Sequence, residues 1–291
     1  MSRETSRGKA TVRQVCQGLG LSRQAYYAAR CEPSAERRPR SSRPGPWSTA
    51  EELEAGIRRV AAANPAWGVR KVWATLRREG VVASRKRVWA LMRSLGLVLP
   101  PVRERDDWTP RGQVKVADSN RRWATDLTTT WTRQDGMVAL VPVIDCGDRV
   151  VFEVGVSKSQ ESPIVLGPVD RTLWREFGHP EAVPAGLEIR SDHGPQYTGA
   201  DAEKLCTRWG VEHTFAPVGR PTGNAVAERV IQTLKVELLW TRDWESLEEV
   251  EQAVREWVAR YNTARPHQAL DWQTPAERRA KNLGEPSKAA A

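Results

Sequence analysis

The order of apolar patterns in the C-terminal part of the chain limits most strongly what it can fold into. Three strand-like segments follow one another at 123–131, 136–146 and 149–156. The first is rich in Thr and Trp, and the second, GMVALVPVIDC, is almost wholly apolar, as expected of buried strands. Helical and strand-like patterns then alternate, with further strands expected at 187–189 and 211–217. This order predicts an α/β fold in which helices cover a mixed sheet.

The part of the chain before this α/β pattern is helical and basic. Residues 1–120 hold 24 Lys and Arg against 11 Asp and Glu, whereas the remaining residues hold 21 against 25. This asymmetry is typical of a protein that binds nucleic acid with one end, the alternative being a basic surface that only faces solvent. Residues 11–29 and 48–97 place apolar side chains at helical spacing and interrupt them with glycine, a pattern typical of helix-turn-helix units.

The composition argues against several other classes of protein. No apolar run approaches the ~18 residues that a membrane span needs. The N-terminal sequence MSRETSRGKATVRQ lacks the apolar core of a secretion signal, so a cytoplasmic location is expected. The four cysteines are scattered, without the close pairs of a disulfide scaffold or of a zinc site.

Three acidic residues stand out when they are considered together. Asp126 interrupts an otherwise uncharged strand, Asp192 ends the strand before Gly194-Pro195, and Glu228 lies opposite the apolar stripe of a helix. Each has an ordinary explanation by itself, since Asp favours turns and Glu favours a solvated helix face. The spacing is less ordinary, with 65 residues between the first two acids and 35 between the last two.

This arrangement resembles the D,D-35-E triad of the integrase and transposase superfamily, whose catalytic domain has a ribonuclease H-like fold. WATDLTTTW resembles the family's W-x-x-D-x-T, and RSDHGPQYTG resembles its S-D-x-G-x-Q-Y. The helix with Glu228 contains E-x-x-x-x-x-L-K-x-E, and YNTARPHQALDWQTP resembles Y-N-x-x-R-P-H-x-x-L-x-x-x-T-P. Residues 64–97 are similar to the helical DNA-binding unit of bacterial two-reading-frame insertion-sequence transposases, so the resemblance spans roughly residues 11–280.

The resemblance implies a DNA transposase that cleaves and joins strands at the ends of an insertion element by phosphodiester transesterification, without a covalent protein–DNA intermediate. Asp126, Asp192 and Glu228 are then the catalytic residues and the metal ligands. Asp126 bridges two Mg²⁺ ions, for which Mn²⁺ can substitute, and the other two acids hold one ion each. Carboxylates suit Mg²⁺, and two ions about 3.5–4 Å apart can clamp an in-line displacement. An inactive or domesticated DNA-binding protein and a nuclease with the same core remain as alternatives.

The expected partners follow from the same resemblance. They are double-stranded DNA, as element ends and as target, further copies of the chain in a homo-oligomer on DNA, and an upstream-frame DNA-binding protein, with the nucleoid as the location. Cations at the first turn of a helix oppose its dipole, so those at 85–87 make more sense beside phosphates or base edges. The expected DNA contacts are Arg85, Lys86, Arg87, Lys235 and His193.

The domain organisation expected from these patterns has six parts. They are a helix-turn-helix segment at 1–31, a linker at 32–47, a helical DNA-binding domain at 48–100, a second linker at 101–119, a ribonuclease H-like integrase catalytic core at 120–280 and a flexible tail at 281–291.

Three local details are also predicted. Many family members have P-T-D-N-A where this chain has P-T-G-N-A, and Asn224 is expected to cap the helix that follows. Asp145 and Asp148 are expected to shape a turn. The tryptophans at 67, 73 and 89 are expected in the core of the helical unit.

Overall fold

The structure is a computed structural model that describes residues 12–21, 47–100, 116–216 and 224–284. The chain divides into two compact units, Met1–Trp47 and Ser48–Ala291. In the first unit, helix α1 (Val12–Gly18) ends shortly before Gly20, whose φ of +62° is a conformation that glycine adopts at little cost. The second helix expected in this unit lies outside the described residues.

The second unit begins with three helices, α2 (Ala50–Ala63), α3 (Val69–Arg78) and α4 (Arg85–Ser94). Thr49 and Ser84 cap α2 and α4 by accepting hydrogen bonds from backbone N–H groups of the first turns. The apolar side chains that the periodicity predicts as inward-facing form a common core with Trp67, against which the predicted Leu91 packs while only partly buried: Leu53, Ile57, Val60, Val72, Leu76, Val88 and Met92. No helix in the described ranges is long and apolar enough to cross a membrane.

The expectation for the three tryptophans of this domain is only partly confirmed. Trp67 is buried, and Trp73 is partly buried with its indole N–H donating to the Ala83 carbonyl at 2.9 Å. The prediction for Trp89 is wrong, because its side chain is 45% exposed and lies against the Arg93 guanidinium. Val88 and Met92 take the inward positions of α4, and the helical turn of about 100° per residue directs the intervening Trp89 away from the core.

A six-stranded mixed sheet forms the centre of the rest of this unit. Strand β3 pairs antiparallel with β4 on one edge and with both β1 and β2 on the other, while β1, β5 and β6 pair in parallel. The strands are β1 (Arg122–Thr125), β2 (Thr128–Thr132), β3 (Gly136–Asp145), β4 (Val151–Ser157), β5 (Glu188–Ser191) and β6 (Glu212–Phe215). The predicted α/β class with a mixed sheet is confirmed.

Helices cover both faces of this sheet. They are α5 (Ser162–Phe177), the short α6 (Pro195–Thr198), α7 (Ala200–Trp209), α8 (Ala225–Leu234), α9 (Leu247–Thr263) and α10 (Pro275–Leu283). Trp123 of β1 packs in one core with α5 and α7, and the next residue, Ala124, packs in the other with α8 and α9. Successive side chains of a strand point to opposite faces, so both faces of the sheet are buried. A π-helical turn, Lys235–Leu239, continues α8.

The strand expected at 123–131 is interrupted at Asp126 and Leu127. β1 and β2 pair with the same edge of β3, with Thr125 opposite Val143 and Thr128 opposite Leu140. The same register places Asp126 opposite Pro142, which has no N–H to donate to a ladder. Asp126 therefore lies in the gap between β1 and β2 and belongs to neither strand.

Asp145 ends β3 and Asp148 lies in the connection to β4, and both are fully buried. Each carboxylate accepts a backbone N–H two residues along the chain, from Gly147 at 2.7 Å and Val150 at 2.9 Å. Arg279 of α10 donates to both carboxylates. The prediction that these acids shape a turn is confirmed, and they also attach the last described helix to the sheet.

Candidate active site

Asp126 occupies the gap between β1 and β2 and is partly buried. Its Oδ1 accepts the N–H of Leu127 at 2.8 Å, which orients the carboxylate. Burial raises the pKa of Asp126 to about 6, against the opposing effect of the Leu127 hydrogen bond. The negative charges of Asp192 and Glu228 raise the pKa further, and Lys235 lowers it. Asp126 is therefore within electrostatic reach of both other predicted catalytic acids.

Asp192 directly follows β5, the parallel neighbour of β1. Ala124 pairs with Arg190, so extending the register by two residues brings Asp126 and Asp192 to the same edge of the sheet. Carboxyl ends of neighbouring parallel strands are a common position for functional groups. The Gly194 N–H donates to Asp192 Oδ1 at 3.0 Å, and Pro195 begins α6.

Glu228 lies in the first turn of α8, and its side chain is exposed. The buried residues of this helix include Ala227, Val230 and Leu234, which face the core beneath the sheet. Its charge affects Asp126 because α8 packs against β1 and β3. Asp126, from a strand gap, is therefore within Coulombic range of one carboxylate from a strand end and of one from a helix.

Thr125, next to Asp126, connects the three segments that carry these acids. Its carbonyl accepts a hydrogen bond of 3.0 Å from the Asn224 amide, which stands at the N-terminus of α8. Its hydroxyl lies 3.4 Å from the hydroxyl of Tyr197, which follows Asp192 on α6. All three residues are buried. Asn224 is the N-cap residue of α8 by position, as predicted, but its side-chain oxygen accepts no bond from the first turn, and its amide N–H donates to β1.

Sequence reasoning overlooked Thr125, Tyr197 and the bond that Asn224 makes to β1. Thr125 and Tyr197 stand in motifs that identify the first two acids, WATDLTTTW and RSDHGPQYTG, and Asn224 stands four residues before the third. Their closeness in sequence to the three acids is the signal that could have identified them. The bonds themselves join residues 72 and 99 positions apart, so local patterns could not reveal them.

The three carboxylates have the right chemistry for a hard divalent cation. Within the described ranges, no group of three or more His, Cys, Asp or Glu side chains is close enough to hold a metal ion. The link between the three acids is therefore electrostatic, since the charges of Asp192 and Glu228 act on Asp126. The raised pKa of Asp126 nevertheless fits such a cation, since a positive charge would offset the cost of ionising this carboxyl.

Two of the predicted DNA-contacting residues lie close to the acids in the chain and in the fold. Lys235, in the π-helical turn after α8, is close enough to lower the pKa of Asp126, and its ammonium group lies 6.0 Å from the Trp240 ring centre. His193 is exposed beside Asp192 and stacks on Phe215 with 4.9 Å between ring centres.

The other three predicted DNA contacts lie on a different element, the first turn of α4 in the helical unit. Arg85 and Lys86 are exposed, and the Arg85 guanidinium lies 5.6 Å from the Trp73 ring centre. Arg87 is partly buried and donates to the Ser48 carbonyl at 2.9 Å. The first two side chains are therefore the more accessible to DNA.

Comparison with known protein families agrees with this architecture. Two integrase core domain models match residues 117–221 and 209–275, and a model of an HTH-like domain matches residues 48–105. The transposase for insertion sequence element IS629 from Shigella sonnei is 30% identical over 237 residues, which cover 77% of this chain and 78% of that protein. The chain belongs to the family of bacterial insertion-sequence transposases.

Other similar proteins include the putative transposase for insertion sequence element IS986/IS6110 from Mycobacterium tuberculosis. It is 29% identical over 256 residues, covering 82% of this transposase and 91% of that protein. Among solved structures, the simian T-cell lymphotropic virus intasome in complex with PP2A regulatory subunit B56 gamma contains a chain of 17% identity. The TM-score is 0.48, and the match covers 81% of this transposase and 78% of that chain.

Family membership assigns DNA transposition as the function and polynucleotidyl transfer as the reaction. It also identifies the mixed sheet and its helices as a ribonuclease H-like integrase core, preceded by an HTH-like domain.

Proposed function

We propose that Asp126, Asp192 and Glu228 are the catalytic residues of this transposase and that they hold two Mg²⁺ ions. Support comes from the pKa of Asp126, which is raised by burial and by the charges of the other two acids. A carboxyl whose pKa is raised by burial and by specific neighbouring charges is a recognised mark of a functional site. The ligand chemistry is suitable, since Mg²⁺ prefers carboxylate oxygens and Mn²⁺ accepts the same ligands.

When bound, the two ions would activate the attacking hydroxyl and stabilise the leaving oxygen at the phosphorus being attacked. The chain's own residues prepare the site for this reaction. The Leu127 N–H and the Gly194 N–H orient the carboxylates of Asp126 and Asp192. Lys235 brings a positive charge within Coulombic range of Asp126, where it can bind a phosphate of the DNA strand. His193 is exposed beside Asp192 and can contact a neighbouring phosphate.

The helical domain at 48–100 would bind the double-stranded ends of the element, with 1–31 as a second DNA-binding segment. Arg85 and Lys86 are exposed at the first turn of α4, a position from which recognition helices contact bases. Arg87, which bonds to Ser48, would contribute less directly. The catalytic core at 120–280 would receive both the ends and the target DNA.

The assembly would be a homo-oligomer on DNA, because cutting and joining two element ends in one event needs more than one active site. An upstream-frame DNA-binding protein would be a further partner, as in the two-reading-frame elements that the sequence resembles. Bacterial chromosomal DNA is the substrate in this scheme, so the protein would act in the cytoplasm at the nucleoid.

The decisive experiment uses Asp126→Asn, Asp192→Asn and Glu228→Gln in the full chain with labelled element-end DNA and Mg²⁺. Each variant should lose cleavage and joining to background and should keep its affinity for end DNA, because the carboxylates serve chemistry and not docking. Glu203→Gln, at an exposed carboxylate of α7, is the matched control and should remain active. Full activity in any of the three variants would overturn the assignment. Cleaved DNA without joined products in the unchanged protein would favour a nuclease.

A further inference from the structure

Two family motifs contain charged residues that the catalytic proposal does not use, Glu237 of the L-K-x-E sequence and Arg265 of the Y-N-x-x-R-P-H sequence. In the structure they form a pair. Arg265 Nε donates to both carboxylate oxygens of Glu237 at 3.1 Å, and its Nη2 donates to one of them at 3.0 Å. Both side chains are only about one-tenth exposed. Both oxygens of Glu237 are therefore engaged by a buried arginine.

A third charge completes this cluster from the helical domain. Lys71 of α3 donates to Glu237 Oε1 at 2.9 Å, across 166 positions of sequence. Burial alone would raise the pKa of Glu237, but Arg265 and Lys71 outweigh it, so the carboxyl pKa lies below its ordinary value. Removing one member of a buried ion cluster leaves a buried charge without compensation, which is strongly destabilising. Such a contact therefore forms only with a surface that supplies the complementary charges.

Neighbouring contacts join the same two surfaces. Arg78, also on α3, donates to both oxygens of Glu277 on α10 at 2.5 and 2.8 Å. Trp73 meets Trp272 edge to face, with ring centres 6.0 Å apart. Asp271 and Trp272 both have positive φ, +54° and +66°, which is a costly conformation for residues other than glycine. The strained turn presents Trp272 to the helical domain.

We infer that the core surface formed by Glu237, Arg265, Trp272 and Glu277 is a docking site for helix α3 of the same chain. Its role is to hold DNA bound by the helical domain at a fixed position relative to the proposed catalytic acids. Glu237 lies in the π-helical turn that continues α8, the helix of Glu228. The helical domain therefore contacts the same helical segment that carries Glu228. This role depends on the transposase activity of the family, and not on which residues bind metal.

The docking also divides the basic residues of the helical domain between two tasks. Lys71 and Arg78 on α3 are paired with acids of the core. Arg85 and Lys86 on α4 are exposed. These two cations of α3 therefore belong to the contact with the core, whereas the first turn of α4 offers cations that DNA can reach.

A charge swap in the full chain tests the inference. Arg78→Glu and Glu277→Arg are made singly and together, and cleavage of labelled element-end DNA is mapped to the nucleotide. Each single change should lower the share of cuts at the correct phosphate roughly tenfold, and the double change should restore it, because it reverses the ion pair. Arg93→Glu is the control, since Arg93 is an exposed arginine of α4 that lies against Trp89 and makes no ion pair within the described ranges. Its combination with Glu277→Arg should give no rescue.

Three results would overturn the inference. Correct cutting by both single variants would mean that the contact does not position DNA. Loss of end-DNA affinity without rescue by the swap would mean that Arg78 contacts DNA. Faster cutting by either single variant would mean that the contact restrains the enzyme.

Two further variants keep the test independent of the Arg78–Glu277 pair and of the catalytic proposal. Trp272→Ala removes the aromatic contact without a change of charge and should reduce the accuracy of cutting. Glu237→Gln should do the same while it retains thermal stabilisation by added Mg²⁺, since Glu237 holds the domain and not the metal. Unchanged accuracy in both would also overturn the inference. An error in the catalytic assignment would appear instead in the Asp126, Asp192 and Glu228 variants.

Discussion

The Asn224 amide donates a hydrogen bond of 3.0 Å to the backbone carbonyl of Thr125, joining the strand before Asp126 to the helix of Glu228. Asn224 is 5% exposed and Thr125 is 1% exposed, so water does not compete for this bond. The hydroxyl of Tyr197, in the segment after Asp192, lies beside the hydroxyl of the same threonine. The relative positions of the three carboxylates therefore depend on neutral, buried groups behind them.

Replacing Asn224 should disturb the active site more than it disturbs DNA binding. Asn224→Ala leaves the Thr125 carbonyl buried without this donor, a cost of about 1–3 kcal/mol. Helix α8 would also lose a fixed attachment to β1, so the Mg²⁺ concentration needed for cleavage should rise. Thermal unfolding and cleavage as a function of Mg²⁺ measure the two effects.

Asn262→Ala is the control for Asn224→Ala. Asn262 also bonds through its side chain to a backbone, that of Val151, at 2.8 and 3.0 Å. Its replacement should lower stability comparably without altering the dependence of cleavage on Mg²⁺. An equal change of Mg²⁺ dependence in both variants would show that the Asn224 effect is only a loss of stability.

The pKa of Asp126 predicts how stability changes with pH. Because this pKa is raised from 3.8 to about 6 by burial and then by neighbouring acids, the folded state binds the proton more tightly than the unfolded state. Stability is thus higher below about pH 4 and falls as pH rises through 6. Asp126→Asn should remove this loss, so its free energy of unfolding at pH 7.5 in EDTA should exceed that of the unchanged protein by about 3 kcal/mol. Thermal unfolding between pH 4 and pH 8 measures the difference.

The same variant tests the metal site without an activity assay. Added Mg²⁺ should raise the melting temperature of the unchanged protein at pH 7.5, because a ligand that binds only the folded state stabilises it. The rise should shrink below pH 6 as protons compete for Asp126. An identical Mg²⁺ effect in Asp126→Asn would contradict the assignment.

Different residues in the first turn of α4 should contribute to DNA affinity and to sequence preference. Arg85→Ala should weaken binding to the element's own ends more than to random DNA, by ~1–3 kcal/mol, if Arg85 reads guanine. Lys86→Ala should weaken binding to both DNAs equally and reduce the salt slope by about one. Arg87→Ala should have the smallest effect on DNA, since this side chain is held by Ser48. Affinities at several salt concentrations give the answer, and equal losses on both DNAs in all variants would restrict α4 to backbone contacts.

Arg279 should be among the residues most important for stability of the core. It is the cation beside two fully buried carboxylates, Asp145 and Asp148, and it also binds Glu176. Arg279→Met should cost about 3–5 kcal/mol, because it leaves buried charges without compensation. Urea unfolding measures this cost. Asp148→Asn should recover part of the loss in the double variant, and a loss below about 1 kcal/mol in Arg279→Met would contradict the prediction.

Properties that depend on neighbours in sequence were predictable from the chain alone. Apolar periodicity placed the helices and strands, and the spacing of Asp126, Asp192 and Glu228 within family motifs identified the candidate site. Periodicity indicates which side of an element is apolar, and motif spacing indicates a resemblance to a known family. Neither requires knowledge of which segments become neighbours in space.

The tertiary structure decided the partners of the polar side chains. Asn224 looks like a helix cap in the sequence, yet its amide bonds to Thr125, 99 positions away, and Glu237 joins Lys71 to Arg265 although nothing local pairs them. A polar group that is removed from water must bond to whichever complementary group lies within about 3 Å. Packing of the sheet, α8 and the helical domain determines which group that is, so this information arises only when the segments meet.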